Sequence, residues 1–209
     1  MPTFVALNDL QMGFRSFLAK PFAAYVARQT REWSSRPAIY QQKVFEGLIR
    51  DASGTLFGKD HGFGEIMSYG DFKKQVPIRD YEGLRSYVDQ VVEGKPDILW
   101  RGRPLYLAKT SGTTSGTKYI PITKESVYNH FNSARDASFH YINETGRASF
   151  LDGKLIFLSG SPKLDEKAGI KTGRLSGIVN HQVPGWLRTN QLPSYATNIV
   201  EDWEEKLER

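Results

Sequence analysis

Cysteine is missing from all 209 residues, which excludes disulfides, thiol nucleophiles and thiolate metal sites. Long apolar runs are missing too. The longest uninterrupted one, Phe22 to Ala27, falls far short of the ~20 residues a membrane-spanning helix needs, so no membrane partner is expected. The opening text MPTFVALNDL has no basic leader ahead of an apolar stretch; no signal peptide is read, and a cytoplasmic setting is expected. The four histidines, His61, His130, His140 and His181, lack metal-ligand spacing, and no metal site is expected from these side chains. Basic residues exceed acidic ones by 28 to 23, a net charge of +5, but they are scattered: Arg28, Arg31 and Arg36, then Lys73, Lys74 and Arg79, then Arg101 and Arg103. Without clustering or interleaved aromatics the excess describes a solvated surface, and no nucleic-acid partner is expected.

What is present suits a folded domain. Hydrophobic residues make 39% and charged ones 24%, close to globular averages, and twelve Phe, ten Tyr and four Trp supply bulk for a core. Leu7, Leu10, Phe14, Phe17 and Leu18 recur at helical spacing, followed after Pro21 by Phe22, Tyr25 and Val26; Pro21 should kink this helix or start another, and the aromatic stripe should face the core. A second helix fits Ile39 to Ala52, with Phe45, Leu48 and Ile49 inward and Gly54 near its end. GTLFGKDHGFGEI reads as a glycine-punctuated loop. Asp80 suits the N-cap of a helix through Val92, with Leu84, Tyr87, Val88, Val91 and Val92 on one face and Gly94 closing it.

Short apolar runs at Leu105–Ala108, Tyr119–Ile122 and Leu155–Leu158 read as strands. Thr123 can cap a helix carrying Val127, Phe131, Ala134, Phe139 and Ile142 to Gly146. Strands mixed with helices on this scale point to an α/β or α+β fold. NIVEDWEEKLER starts an amphipathic helix with Val200, Trp203 and Leu207 on one face. It stops without a terminating glycine or proline, so the chain is expected to be the front part of a longer protein.

The densest chemistry lies in LAKTSGTTSGTKYIPIT, residues 107 to 123. Two apolar runs flank it, so a strand–loop–strand turn is expected. Gly112 and Gly116 open backbone conformations closed to other residues, and successive amides in such a turn can form an anion-binding nest. Thr110, Ser111, Thr113, Thr114, Ser115 and Thr117 add hydroxyls, and Lys118 adds a point charge. The spacing is not that of a Walker loop, since three residues separate the glycines and Thr117 precedes Lys118. The Rossmann glycine pattern is missing as well.

TSGTTSGTKYIPIT resembles the phosphate-binding motif of the acyl-adenylate-forming superfamily, which includes luciferases and acyl-CoA synthetases. The upstream text GTLFGKDHGFGEIMSYGDFKKQVPIRDYEGLRSYVDQVVEGKPDILWRGRP is similar to the auxin-responsive promoter (Gretchen Hagen) family of acyl acid-amido synthetases. The resemblance runs from about Ala52 onward and is strongest through Asp60–Phe63, Val76–Tyr81 and Thr110–Pro121. It implies an α/β fold, helices with a mixed β-sheet, forming an incomplete N-terminal part of the acyl-adenylate-forming enzyme fold. Residues 1–209 would be the N-terminal part of its large ATP-binding domain: a helical lead-in over 1–53 and an α/β region over 54–209, with the C-terminal domain absent.

The implied activity is a ligase with ATP and Mg²⁺. A small-molecule carboxylic acid becomes an acyl-adenylate, and an amine or amino acid then displaces AMP. The resemblance places Thr110, Ser111, Gly112, Thr113, Thr114, Ser115 and Gly116 around the phosphates, with Lys118 as electrostatic helper. GIKTGRLSGIVNHQVPGW resembles the segment lining the acyl pocket, which nominates Leu175, Ser176 and Val179; Arg135 is nominated to face the acid's carboxylate. No catalytic side chain is singled out. Asp60 and His61 read as a structural turn. The family's adenine and Mg²⁺ motif, its ribose-binding acid and its mobile C-terminal domain lie further on, and nothing before Arg209 resembles them. The 209 residues alone are therefore expected to be inactive, with the remainder of their own chain as a partner. The alternatives are an acyl-CoA ligase of the same superfamily and a non-catalytic nucleotide- or acyl-binding module.

Overall fold

A computed structural model describes residues 13–110, 116–157, 160–183, 185–200 and 202–208. Helices α1 (Phe14–Ser34) and α2 (Pro37–Ala52) come first. The short α3 (Leu56–Asp60), a 3₁₀ turn at Phe63–Glu65, α4 (Tyr69–Gln75) and α5 (Tyr81–Val92) follow. Next come β1 (Tyr106–Thr110), β2 (Lys118–Ile122) and the long α6 (Lys124–Thr145). Beyond them lie β3 (Leu155–Ile156), β4 (Asp165–Lys167), β5 (Ile170–Arg174), α7 (Leu175–Gln182), α8 (Gly185–Arg188), β6 (Gln191–Leu192), α9 (Tyr195–Asn198) and α10 (Trp203–Glu208). No described helix is long and apolar enough to cross a membrane.

The main sheet has the order β2-β1-β5-β4. Strand β1 pairs antiparallel with β2 and parallel with β5, and β4 pairs antiparallel with β5. The mixed α/β architecture therefore agrees with the expectation from sequence. Side chains alternate across β1. Leu107 joins Tyr87 and Val91 of α5, together with Ile98 and Ile170, in one buried cluster. Tyr106 and Ala108 point the other way and meet Ile122, Val127 of α6 and Ile178 of α7. Helices thus cover both faces of the parallel pair, the arrangement that lets such strands carry apolar residues on both sides.

The helix ends follow local chemistry. Asp80 Oδ1 accepts the Gly83 N–H at 2.8 Å and starts α5. Thr123 and Ser126 exchange bonds in a capping box at the start of α6, and Gly146 ends that helix at φ 71°. The KDHGF segment is a structural turn, as expected. His61 is buried, its Nδ1 lies 2.8 Å from the Phe57 carbonyl, and its ring stacks on Phe57 at 4.1 Å. The Tyr87 hydroxyl donates to Asp60 Oδ2 at 2.8 Å.

Several local expectations are corrected. Pro21 lies inside a helix unbroken from Phe14 to Ser34, so it starts no second helix. The face of α1 that packs on α6 holds the small residues Ala19 and Ala23 against Ile142, with Ala148 beyond. Ser16, buried beside them, donates to the Ala148 carbonyl at 2.8 Å. Small side chains bring the two helix backbones close, and that contact spans the bond Pro21 cannot make. Phe14, Phe17, Leu18, Phe22 and Tyr25 fall on the opposite side and are exposed, so the aromatic stripe does not face this core. Leu48 of α2 is likewise exposed, whereas Ile49 is buried and Phe45 packs beside it.

GTLFGKDHGFGEI is not an irregular loop: the Thr55 hydroxyl accepts the Gly58 N–H at 3.0 Å and starts α3 within it. The last helix begins at Trp203, where Asp202 Oδ1 accepts the Glu205 N–H at 2.8 Å, later than NIVEDWEEKLER suggested. Leu207 on it is exposed, and Phe131 and the start of the chain lie outside the described side chains.

Leu107 is fully buried at the centre of the sheet, and Ile120 on the outer strand is 51% exposed. Leu107→Ala should lower unfolding free energy by about 2–5 kcal/mol in denaturant titration, while Ile120→Ala should cost less than about 1 kcal/mol. Similar costs at the two positions would contradict the layering.

Candidate functional site

Strand β1 delivers Thr110 at its carboxyl end, and β2 starts directly opposite, with Thr110 and Lys118 as register partners. The end of β1 and the start of β2 therefore lie side by side, the two strands expected from the flanking apolar runs. Ser111, Gly112, Thr113, Thr114 and Ser115, expected around the phosphates, lie outside the described residues. Of the loop's other nominated residues, Thr110 is exposed, and Gly116 is exposed with a φ of 84°, a left-handed conformation that only glycine adopts without strain. A Cβ built there would meet nothing within 4 Å, so open space borders the backbone.

Lys118 is half-buried, and its ammonium stands 5.1 Å from the centre of the Tyr81 ring, within cation–π range. The Tyr81 hydroxyl accepts the next residue's amide, Tyr119 N–H, at 2.9 Å. Beside the loop, Lys109 Nζ donates to Asp165 Oδ2 at 2.5 Å. That bond, with the charge behind it, holds the Asp165 carboxyl below its ordinary pKa.

The parallel pairing of β1 with β5 sets Lys109 opposite Arg174, so the loop after Thr110 and the helix after Arg174 emerge at the same sheet edge. This brings Leu175, Ser176 and Val179 of α7 to that edge. Leu175 is exposed and Val179 half-buried. The Ser176 hydroxyl accepts the Gly160 N–H at 3.0 Å, which ties α7 to the preceding segment. A Cβ on Gly177 would sit 2.3 Å from the Ser161 carbonyl oxygen, so glycine permits that close approach. Arg135 is exposed on α6 with its guanidinium bonded to its neighbour Asp136, Nε to Oδ1 at 2.8 Å.

Sequence reasoning passed over Tyr81, Asp165 and Arg174. Tyr81 follows a legible cap, but nothing in the spacing ties it to a lysine 37 positions on. The β4–β5 hairpin that carries Asp165 turns through Ala168 and Gly169 at φ 48° and 79°. An alanine at that turn lacks the Asn-Gly or Asp-Gly signal by which such hairpins are recognised. Among the described residues no group of three or more His, Asp or Glu side chains forms a metal site.

An open mixed sheet whose parallel pair is covered by helices on both faces is an α/β architecture. The GH3 family N-terminal domain matches residues 26–208, and the chain belongs to that family. The chain is 35% identical over 89 residues to the indole-3-acetic acid-amido synthetase GH3.15 of Arabidopsis thaliana, an alignment covering 42% of this chain and 15% of that protein. It is 26% identical over 104 residues to the probable indole-3-acetic acid-amido synthetase GH3.13 of Oryza sativa subsp. japonica, covering 45% of this chain and 22% of that protein. The fold matches the solved GH3.15 acyl acid amido synthetase with a TM-score of 0.67 at 22% identity, over 96% of this chain and 33% of that one. A second solved structure is of AtGH3.15 in complex with 2,4-DB, with the same TM-score and identity, over 92% of this chain and 33% of that one. The chain thus spans about a third of the length of these solved relatives.

Lys109→Met should raise the Asp165 pKa toward the ordinary carboxylate value, followed by carboxyl ¹³C shifts against pH. The sign follows from linkage: a depressed folded pKa contributes stability present above the unfolded pKa and lost as pH falls through the folded one. The wild type should therefore lose this contribution on acidification, and the variant, left with only the weaker influence of Lys163, should have less to lose. An Asp165 titration indifferent to the substitution would contradict the pairing.

Proposed function

We propose that this chain supplies the triphosphate-holding corner of an ATP-dependent acyl acid-amido synthetase, as the N-terminal part of its large ATP-binding domain. One observation carries the reading: Thr110 and Lys118 pair at the carboxyl end of β1, beside the start of α7, where open α/β sheets hold their ligands. Family membership supports it, since the relatives are named as acid-amido synthetases.

The chemistry accounts for the loop's composition. In the first step a carboxylate oxygen of a small-molecule acid forms a bond to the α-phosphorus of ATP, and the bond to the bridging oxygen breaks with departure of pyrophosphate. Two anions approach, and a more highly charged anion leaves. Fixed donors aimed at the β- and γ-phosphates stabilise that developing charge. Backbone amides from Ser111 to Gly116 and the hydroxyls of Thr110, Ser111, Thr113, Thr114 and Ser115 are the proposed donors, with Lys118 contributing a positive charge at the loop's exit. In the second step an amine nitrogen, as of an amino acid, attacks the acyl carbon, AMP departs and the nitrogen loses a proton, leaving an amide.

Leu175 and Val179 are proposed to border the acid, with Ser176, already tied to Gly160, orienting it. Arg135 is proposed to face the carboxylate, which requires its exchange away from Asp136. Among the described residues no group of three or more acidic side chains gathers, and the protein ligands of Mg²⁺ are proposed to lie in the part of the relatives' length that this chain does not span. The adenine and ribose contacts are placed there too, and the present span alone is proposed not to turn over. A cytoplasmic setting completes the reading.

Hydrogen bonds to a charged partner contribute about 1.5–3 kcal/mol each, so Thr113→Val or Thr114→Val should slow ATP–pyrophosphate exchange by roughly 10- to 100-fold. The assay uses the protein expressed from its complete reading frame and a panel of carboxylic acids. Exchange unchanged in both variants would remove the loop from the reaction.

A further inference from the structure

The loop's two ends are held differently. On its entry side β1 lies between β2 and β5, so neighbouring strands fix it on both edges. On its exit side β2 is the outer strand, and its outward amides have no strand partner. An outer strand beginning right after a glycine-rich turn can fray at its first residues, taking Lys118 with it. Tyr81 meets both needs at once. Its hydroxyl accepts the Tyr119 N–H at 2.9 Å, on the strand's outward edge, and its ring lies 5.1 Å from the Lys118 ammonium.

Tyr81 itself is firmly mounted. It is the first residue of α5, directly after the Asp80 cap, and the same helix buries Tyr87, Val88 and Val91 in the core. The ring is half-buried, and the Lys118 ammonium lies over its face; among the described residues no carboxylate stands within ion-pair distance of Lys118. An aromatic face steadies an ammonium without neutralising it, which a carboxylate would do. A cation meant to meet an incoming anion is better served by the first arrangement.

We propose that Tyr81 is a positioning residue for the phosphate-holding loop: it pins the start of β2 through the Tyr119 amide and holds the Lys118 ammonium toward the nucleotide's phosphates. This rests on the loop reading above and adds a residue outside the loop that acts through Lys118. A plain packing role predicts only lost stability on substitution. A positioning role predicts a loss specific to ATP.

The test measures ATP–pyrophosphate exchange in the protein expressed from its complete reading frame, with KM for ATP, KM for the acid and kcat determined separately. The variants are Tyr81→Leu, Tyr81→Phe, Lys118→Gln and the double variant Tyr81→Leu/Lys118→Gln. Tyr81→Leu should raise KM for ATP about two- to fivefold, the scale of an exposed cation–π contact, and leave KM for the acid unchanged. It should add nothing further once Lys118 is glutamine. Tyr81→Phe keeps the ring and deletes the acceptor; it should raise KM for ATP by a smaller step, and it decides the matter if the leucine variant fails to fold. An unchanged KM for ATP in the variants that fold, equal rises for ATP and acid, or independent effects of Tyr81 and Lys118 would each overturn the inference. Wild-type protein that exchanges with no acid would overturn the loop reading and this inference together, whereas an exchanging wild type indifferent to Tyr81 overturns this inference alone.

Discussion

The pairing of Thr110 with Lys118 across β1 and β2 is the constraint on which the site depends. Two residues held in antiparallel register fix where the chain leaves β1 and where it enters β2. Strand β1 in turn is fixed by the parallel ladder to β5, which brings the start of α7 to the same edge. One strand thereby brings the residues that flank the glycine–hydroxyl segment and the start of a helix to the same side of the sheet. Neither element needs to know about the other in sequence; the sheet brings them together.

That strand is itself held from two sides. Leu107 is clamped by α5, and Tyr106 and Ala108 are covered by α6 and α7. Rigid flanks matter for a site whose proposed work is electrostatic, because donors stabilise developing charge most when they do not have to reorganise. The polar contacts around the edge obey the same economy. Lys109 is tied to Asp165, Lys118 rests on an aromatic ring, and Ser176 fixes the approach of α7 to Gly160. Positive charge is held close to the proposed phosphate path by different partners on different elements.

Much of this frame is legible in the residues. Asp80 and Thr123 announce helices because a short oxygen-bearing side chain before an apolar period answers an amide left over at a helix start. The strands beside the loop are legible because apolar runs stop abruptly at hydroxyl and glycine text. Other features are not, for physical reasons. The aromatics of α1 look like a core face by periodicity alone, yet helix pairing with α6 selects the alanine side, where the backbones come closest. Strand β4 is three residues long, charged and exposed, so it carries no alternating pattern. Tyr81 reaches the loop only through tertiary folding. The glycine–hydroxyl motif stands out by composition, and its Ser111 to Ser115 lie outside the described residues.

The most direct measurement is a titration of ¹⁵N-glycine-labelled protein, expressed from its complete reading frame, with ATP. If the turn between Thr110 and Lys118 grips phosphate oxygens with its main chain, the Gly112 and Gly116 amide resonances shift on addition of nucleotide, while Gly146 at the end of α6 stays in place. Saturable ATP binding that leaves Gly112 and Gly116 unmoved would contradict it.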